Sequence, residues 1–266
     1  MLSRFISSLP EPFKAAFRNT VLHDAVSNYY EQRRLFKQKF YEMTTSPSEL
    51  QEQTFQTTVG PVSIPLPAYA TKWEAYSGGK HEPLLTSAIN QELDKTQVIY
   101  DVGCQFGYFV EIAKKSAALD KNIHAFEAKN FYYDILDWKY RDDETNIVHG
   151  RVAETVGSKS TTIDAYSETS ETTPDVIKID VEGAEMNVLR GAEETLVSET
   201  PRLYMEVHPN LLTRFDHTPD DIYRFLTELG FTVVMADHRT SDSDWKPISD
   251  SLPSDSDEYL IRATRE

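Results

Sequence analysis

A chain of 266 residues can bury one substantial core, or a core with a small appendage, and its 39% hydrophobic and 26% charged content is that of an ordinary folded domain. A net charge of −16 excludes non-specific attraction to a phosphate backbone, so nucleic acid is not an expected partner. The lone cysteine, Cys104, excludes an internal disulfide or a cysteine zinc cluster; with no long apolar run and no signal-peptide core in Leu2–Leu9, a cytoplasmic location is expected.

The charge is unevenly spread. Residues 1–43 carry seven Lys/Arg and four Asp/Glu, a net of +3 against −19 for the remainder. Pro12 can open a helix, and Phe13, Phe17, Val21, Ala25 and Tyr29 then recur every four residues on a stripe that Leu35, Phe36 and Phe40 extend. Such a basic helix with an aromatic stripe suits packing on the protein's own body or on a second subunit. It also suits a peripheral contact, through residues 1–43, with the anionic inner face of a membrane. Residues 1–46 are therefore expected as a first, helical segment, ending in the polar linker Thr44-Thr45-Ser46-Pro47-Ser48.

Residues 47–81 form the next segment. Thr54–Thr58 and Val62–Leu66 flank Val59-Gly60-Pro61, which predicts a hairpin, and Ser77-Gly78-Gly79-Lys80 predicts a flexible turn. The third segment, residues 82–266, alternates helix and strand. A helix is expected at Glu82–Leu93, a strand at Val98–Val102, a helix at Tyr108–Ala118, a strand at Asn122–Phe126 ending on Glu127, and a helix at Phe131–Tyr140. A third strand follows at Ile147–Ala153, a fourth at Asp175–Val181, a helix at Ala184–Val197, a fifth strand at Arg202–Val207 and a helix at Pro219–Leu229. Phe231–Ala236 and Glu258–Ala263 close the chain as two strands joined by the Ser/Asp-rich loop Arg239–Asp257. Strands separated by helices need crossover connections. The expected fold is therefore α/β: a Rossmann-like, mainly parallel sheet covered on both faces, with an antiparallel last strand.

In an open sheet of this kind ligands sit at the carboxyl ends of the strands. The first turn there is Asp101-Val102-Gly103-Cys104-Gln105-Phe106-Gly107, in which Gly103 permits a tight turn and Gly107 a close backbone approach. Its spacing is not the G-x-G-x-x-G of a dinucleotide site, which weakens a nicotinamide oxidoreductase reading. Twenty residues beyond Gly107, Glu127 ends the second strand, where a carboxylate can take both hydrogen bonds of a ribose diol. Ala128 follows it, and Arg151 and Val152 at the third strand's end are placed to meet an adenine ring. The fourth and fifth strands end in Lys178-Ile179-Asp180-Val181-Glu182-Gly183-Ala184-Glu185 and Glu206-Val207-His208, so Asp180, Glu182, Glu206 and His208 can converge on a substrate. Glu185 falls in the first turn of a helix, where the dipole alone accounts for a carboxylate.

The first turn, Phe126-Glu127, Thr162-Ile163-Asp164, the run Ile177–Glu185, Leu189-Arg190-Gly191-Ala192 and Glu206-Val207-His208 together resemble the ordered motifs of the FkbM family of methyltransferases, over roughly residues 82–238. Two positions depart from that pattern: Cys104-Gln105 replaces the usual Ala-Asn, and Ala128 a usual proline. The resemblance implies a class I methyltransferase fold and S-adenosyl-L-methionine as cofactor, bound by Asp101, Gly103, Gln105, Phe106, Gly107, Glu127, Ala128, Arg151, Val152 and Asp180. It further implies O-methylation, often of sugars or natural products.

An activated methyl group needs an aligned nucleophile and exclusion of water. For a saccharide hydroxyl, Asp180, Glu182 or His208 can serve as general base, with Glu206 and His208 contacting the acceptor. A hexuronate carboxylate would need no base. An alternative sets Asp180, Glu206 and His208 around a divalent metal that acidifies the hydroxyl, but no spacing demands one and no metal is expected. The basic N-terminal segment points to a glycan acceptor that is lipid-linked. The competing classes are a non-catalytic scaffold on the same fold and a nicotinamide oxidoreductase.

Overall fold

The computed structural model describes residues 39–66, 81–93, 98–115, 122–237, 244–248, 250–256 and 258–265. The chain divides into two compact units, Met1–Glu49 and Leu50–Glu266. Of the first, residues 39–44 are helical and Pro47–Glu49 forms a 3-10 turn, with Phe40 61% exposed. The rest of the expected aromatic stripe, and the Ser77–Lys80 turn, lie outside the described residues.

The second unit opens with the expected hairpin. Strands β1 (Gln51–Thr57) and β2 (Gly60–Leu66) pair antiparallel through the two-residue turn Thr58-Val59, and Gly60 follows it at φ 101°, in the left-handed region. Then follow helix α1 (Pro83–Leu93), β3 (Val98–Val102), α2 (Tyr108–Lys115), β4 (Asn122–Glu127), α3 (Asn130–Tyr140) and β5 (Asn146–His149). Lys139 of α3 donates to the Ser63 carbonyl and pairs with Glu52 and Glu111, which fastens the hairpin to α2 and α3.

Next come β6 (Arg151–Val152), β7 (Ser160–Thr161), α4 (Ile163–Ser170), β8 (Val176–Ile179), α5 (Glu185–Arg190), α6 (Glu193–Ser198) and β9 (Arg202–Val207). The chain closes with α7 (Pro209–Leu212), α8 (Pro219–Glu228), β10 (Thr232–Ala236), β11 (Lys246–Pro247) and β12 (Tyr259–Thr264). Eight strands form one sheet in the order β11-β10-β12-β9-β8-β3-β4-β5. The pairs from β9 through β5 are parallel, and β12 runs antiparallel between β9 and β10. This is the class I, Rossmann-like sheet the sequence leads one to expect. Val176, Ile177 and Ile179 of β8 and Leu203, Tyr204, Met205 and Val207 of β9 are all buried, because both faces of a parallel sheet are covered. Among the described residues no helix is long and apolar enough to cross a membrane.

Four points differ from expectation. The third strand breaks at Gly150: β5 stays in the main sheet, whereas β6 leaves it to pair with β7. The helix expected over Ala184–Val197 is two helices. The chain turns at Gly191, where a β-carbon would lie 2.0 Å from the Ala153 carbonyl oxygen, so the backbones of the two segments pack without a side chain between them. Helix α4 was not expected; Thr162 caps it by accepting from the Ala165 amide, and Glu171 ends it in the left-handed conformation. The Asp164 carboxylate of this helix in turn receives the Glu194 and Thr195 amides, so the Thr162-Ile163-Asp164 motif joins α4 to α6. Inside the final loop, β11 adds a short edge strand to β10.

Candidate active site

The carboxyl ends of β3, β4 and β8 border one cleft of about 550 Å³, within the usual range for small-molecule sites. Gly103, Gln105, Glu127 and Ala128 line it on one side, Arg151 and Val152 at the end of β6, and Asp180 and Glu182 after β8. These eight expected site residues are brought together. Asp101, Phe106 and Gly107 do not line the cleft. Phe106 is buried with its ring edge on Tyr132, and a β-carbon on Gly107 would lie 2.8 Å from Leu136 Cδ2. The close approach at Gly107 is therefore made by α3, not by a ligand. Cys104, also in this turn, is 4% exposed, and burial pushes its thiol well above the usual range.

Glu127 fastens two loops to each other. Its Oε2 accepts from the Gln105 amide at 3.0 Å and its Oε1 from the Lys129 amide at 2.7 Å. Gln105 reaches that position in the left-handed region, at φ 47°. Burial raises the Glu127 carboxyl, and the amide donors offset this only in part. The Ala128 amide also favours the carboxylate, and the acceptor capacity that remains is what a hydroxyl can use.

Beneath the turn lies a residue that sequence reasoning passed over. Lys178, buried in the middle of β8, stands 3.1 Å from Asp101 Oδ1, donates to the Gly103 carbonyl at 3.2 Å and lies 3.8 Å from Asp180 Oδ2. Burial opposes its charge, but Asp101 and Asp180 outweigh burial and keep it protonated. The signal was present: a lysine flanked by Ile177 and Ile179 on a central parallel strand must be paired to be tolerated.

Behind Asp180, at the end of β9, His208 is 8% exposed. Its Nδ1 is 2.7 Å from Oε1 of Glu185, and its Nε2 is 4.0 Å from Asp180 Oδ1 and 3.7 Å from Glu206 Oε1. Burial opposes the imidazolium, yet the Glu185 hydrogen bond and the charges of Asp180, Glu185 and Glu206 raise it to about 9. Glu206 is raised to about 8 by burial and by Asp180, against the pull of His208. Asp180, Glu206 and His208 offer atoms within 4.8 Å of one another, a spacing that a cation can bridge, and Lys178 already brings positive charge to Asp180. Glu82, just before α1, joins this group: burial first, then Glu206, raises its carboxyl well above the usual range. No local pattern marks it: Lys178, Asp180 and Glu206 come from segments more than 90 residues away, and only Asp101 and the adjacent His81 are nearer in sequence. Glu182, by contrast, has a side chain 64% exposed and lies 4.0 Å from Lys129 at the cleft mouth.

His208 and Glu206 both hold protons more tightly when folded than their ordinary values of 6.5 and 4.5 allow. The folded state then binds more protons than the unfolded one, so stability falls as pH rises. The His208 contribution is whole below about pH 6.5 and is lost as pH passes through about 9; the Glu206 proton is lost through about 8. Thermal melting between pH 6 and 9 should therefore show a declining midpoint, with a shallower decline in His208→Gln. An unchanged slope in that variant would contradict the assignment.

Residues 65–233 match the family model described as the methyltransferase FkbM domain. No curated protein matches significantly. Among solved structures, the chain is similar to the methyltransferase FkbM from Methylobacillus flagellatus KT, at 16% identity and a TM-score of 0.45, covering 63% of this chain and 43% of that one. It is also similar to the precorrin-6y C5,15-methyltransferase from Geobacter metallireducens GS-15, at 17% identity, 67% and 86% coverage and a TM-score of 0.41. The SAM-dependent O-methyltransferase from Thermotoga maritima is 13% identical over 80% of this chain and 85% of that one, with a TM-score of 0.44.

Proposed function

The chain belongs to the FkbM family of methyltransferases, and from that premise we propose that it transfers the methyl group of S-adenosylmethionine to a saccharide hydroxyl. S-adenosylmethionine supplies a methyl already activated on a sulfonium sulfur. Glu127 carries the cofactor reading: a buried carboxylate lining the cleft, with acceptor capacity left over for a ribose hydroxyl. Gln105, Ala128, Arg151 and Val152 complete the wall along which the adenosine would lie.

The hydroxyl reading rests on the group around His208. A hexuronate carboxylate would have no use for a base, so this group would be idle toward such an acceptor. A hydroxyl, in contrast, must lose a proton, and the neutral form of His208, whose share grows as pH rises toward about 9, offers Nε2 behind Asp180 to receive it. Asp180 can accept the hydrogen bond that orients the hydroxyl. The net +3 of residues 1–43 supports a lipid-linked acceptor met at an anionic membrane surface. Flotation of the full chain with phosphatidylglycerol vesicles, compared with phosphatidylcholine vesicles, tests that part.

Titration calorimetry with S-adenosylhomocysteine tests the cofactor. Binding is expected in the micromolar range with no heat from NAD, whereas silence for both ligands favours a scaffold protein. Glu127→Gln should weaken S-adenosylhomocysteine binding about 10- to 100-fold, the worth of charge-assisted hydrogen bonds of about 1.5–3 kcal/mol. An affinity equal to wild type would remove Glu127 from the site. Incubation with neutral glycans and with their uronate counterparts, read by mass spectrometry for an added methyl, separates hydroxyl from carboxylate acceptors.

A further inference from the structure

Glu185 has a local explanation, as a carboxylate in the first turn of α5, and that explanation is too small for what the structure shows. Its side chain is 0% exposed, and a fully buried carboxylate costs several kcal/mol unless specific partners repay it. Its Oε1 accepts from the Gly183 amide at 3.0 Å and meets His208 Nδ1 at 2.7 Å, while Oε2 has no hydrogen-bond partner among the described residues. A cap alone would satisfy the Gly183 amide with a half-exposed carboxylate. The burial, and the short contact to an imidazole from another strand, are left over.

Among the described residues, the imidazole is gripped from one side only. Nδ1 faces Glu185, and Nε2 faces the opposite way, 3.7 Å from Glu206 and 4.0 Å from Asp180, beyond hydrogen-bond reach of either. A buried acceptor on Nδ1 fixes the proton there in the neutral ring and leaves Nε2 bare. It also stabilises the ring once Nε2 has taken a proton, as in the carboxylate–histidine pairs of acyl-transfer enzymes.

We propose that Glu185 is a positioning residue that acts through His208, holding the ring with its proton on Nδ1 so that Nε2 takes the proton of the acceptor hydroxyl. This rests on the hydroxyl reading above. In the step, which starts from the neutral ring and so speeds up as pH rises toward about 9, the hydroxyl proton passes to Nε2, the oxygen–methyl bond forms, and the sulfur–methyl bond breaks with its electron pair staying on sulfur. The imidazolium left behind is paired with Glu185 and later returns its proton to solvent. The groups facing the ring are Glu185 from α5, Asp180 after β8 and Glu206 on β9, with Glu82 before α1 and Glu258 before β12 acting on Glu206 in turn. Lys178 sits on the far side of Asp180 and moderates it.

The test is nitrogen-15 NMR of histidine-labelled full-length protein, with the His208 signals assigned by their loss in His208→Gln. In the wild type at alkaline pH, Nδ1 should be protonated and Nε2 bare. In Glu185→Gln, which keeps an oxygen for the Gly183 amide, the titration midpoint of His208 should fall by one pH unit or more. A wild-type ring with its proton on Nε2 overturns the proposal without any variant. So does a midpoint unmoved in Glu185→Gln. A double-mutant cycle on melting temperature gives the structural control: if Glu185→Gln costs as much in the His208→Gln background as alone, Glu185 does not act through His208. None of these readouts depends on the acceptor. A failure to bind S-adenosylhomocysteine would defeat the proposed function separately.

Discussion

Gly103→Ala is expected to abolish S-adenosylhomocysteine binding and to destabilise the protein by more than about 4 kcal/mol, the range reserved for substitutions that force backbone apart. Gly103 sits at φ 84°, where an alanine already pays about 1–2 kcal/mol. The larger effect is contact: its β-carbon would lie 1.8 Å from the Asp180 carbonyl oxygen and 2.8 Å from the Asp180 carbonyl carbon. No side chain can swing away to relieve this, so the loops after β3 and β8 must separate. Those two loops carry Gln105 and Asp180 into the cleft, and moving the first also strains the hydrogen bond from Gln105 to Glu127. Gly60→Ala is the control. At φ 101° it pays the backbone penalty alone, since nothing lies within 4 Å of its β-carbon, and cofactor binding should be untouched. Calorimetry and thermal melting of both variants decide the matter; a Gly103→Ala protein that binds as tightly as wild type would refute the packing argument.

His208→Gln is expected to lower turnover about 10²- to 10⁴-fold, the usual worth of a general base, with cofactor affinity close to wild type. The separation follows from place. His208 stands behind Asp180 and does not line the cleft that Glu127 and Gln105 help to form. Glutamine can still hydrogen-bond to Glu185 but cannot take a proton. Single-turnover rates with saturating cofactor, set beside calorimetric affinities, resolve the two effects. A loss of affinity without loss of rate would return His208 to a binding role.

The parallel strands were legible because burial on both faces writes them as unbroken apolar runs such as Val176–Ile179, ended by a charged residue or a glycine. The carboxylates at their ends were legible for the same reason: Glu127, Asp180 and Glu206 stand where a hydrophobic run stops. What failed to show was whatever depends on a distant partner. Gly191 reads as a tolerated helix glycine until the Ala153 carbonyl is found against it. Helix α4 has Ile163 and Ser167 as its buried residues, too few for an amphipathic stripe. Lys178 and Glu185 lie inside the most distinctive motif of the chain, but their partners come from β3 and β9. Glu185 is the clearest case: the helix dipole accounts for a first-turn carboxylate, and nothing local marks its burial against His208.

The only sulfhydryl in the chain, Cys104, lies in the turn that Gly103 and Glu127 hold shut. At 4% exposure it is shielded from reagents while the turn is closed, and its raised thiol is un-ionised at neutral pH. Alkylation therefore proceeds through the opened turn, and its rate measures how often that loop comes free. A bound ligand that closes the cleft would slow labelling in proportion to its occupancy. The protein thus carries, without engineering, a single-site covalent clock for the movement of the loop after β3.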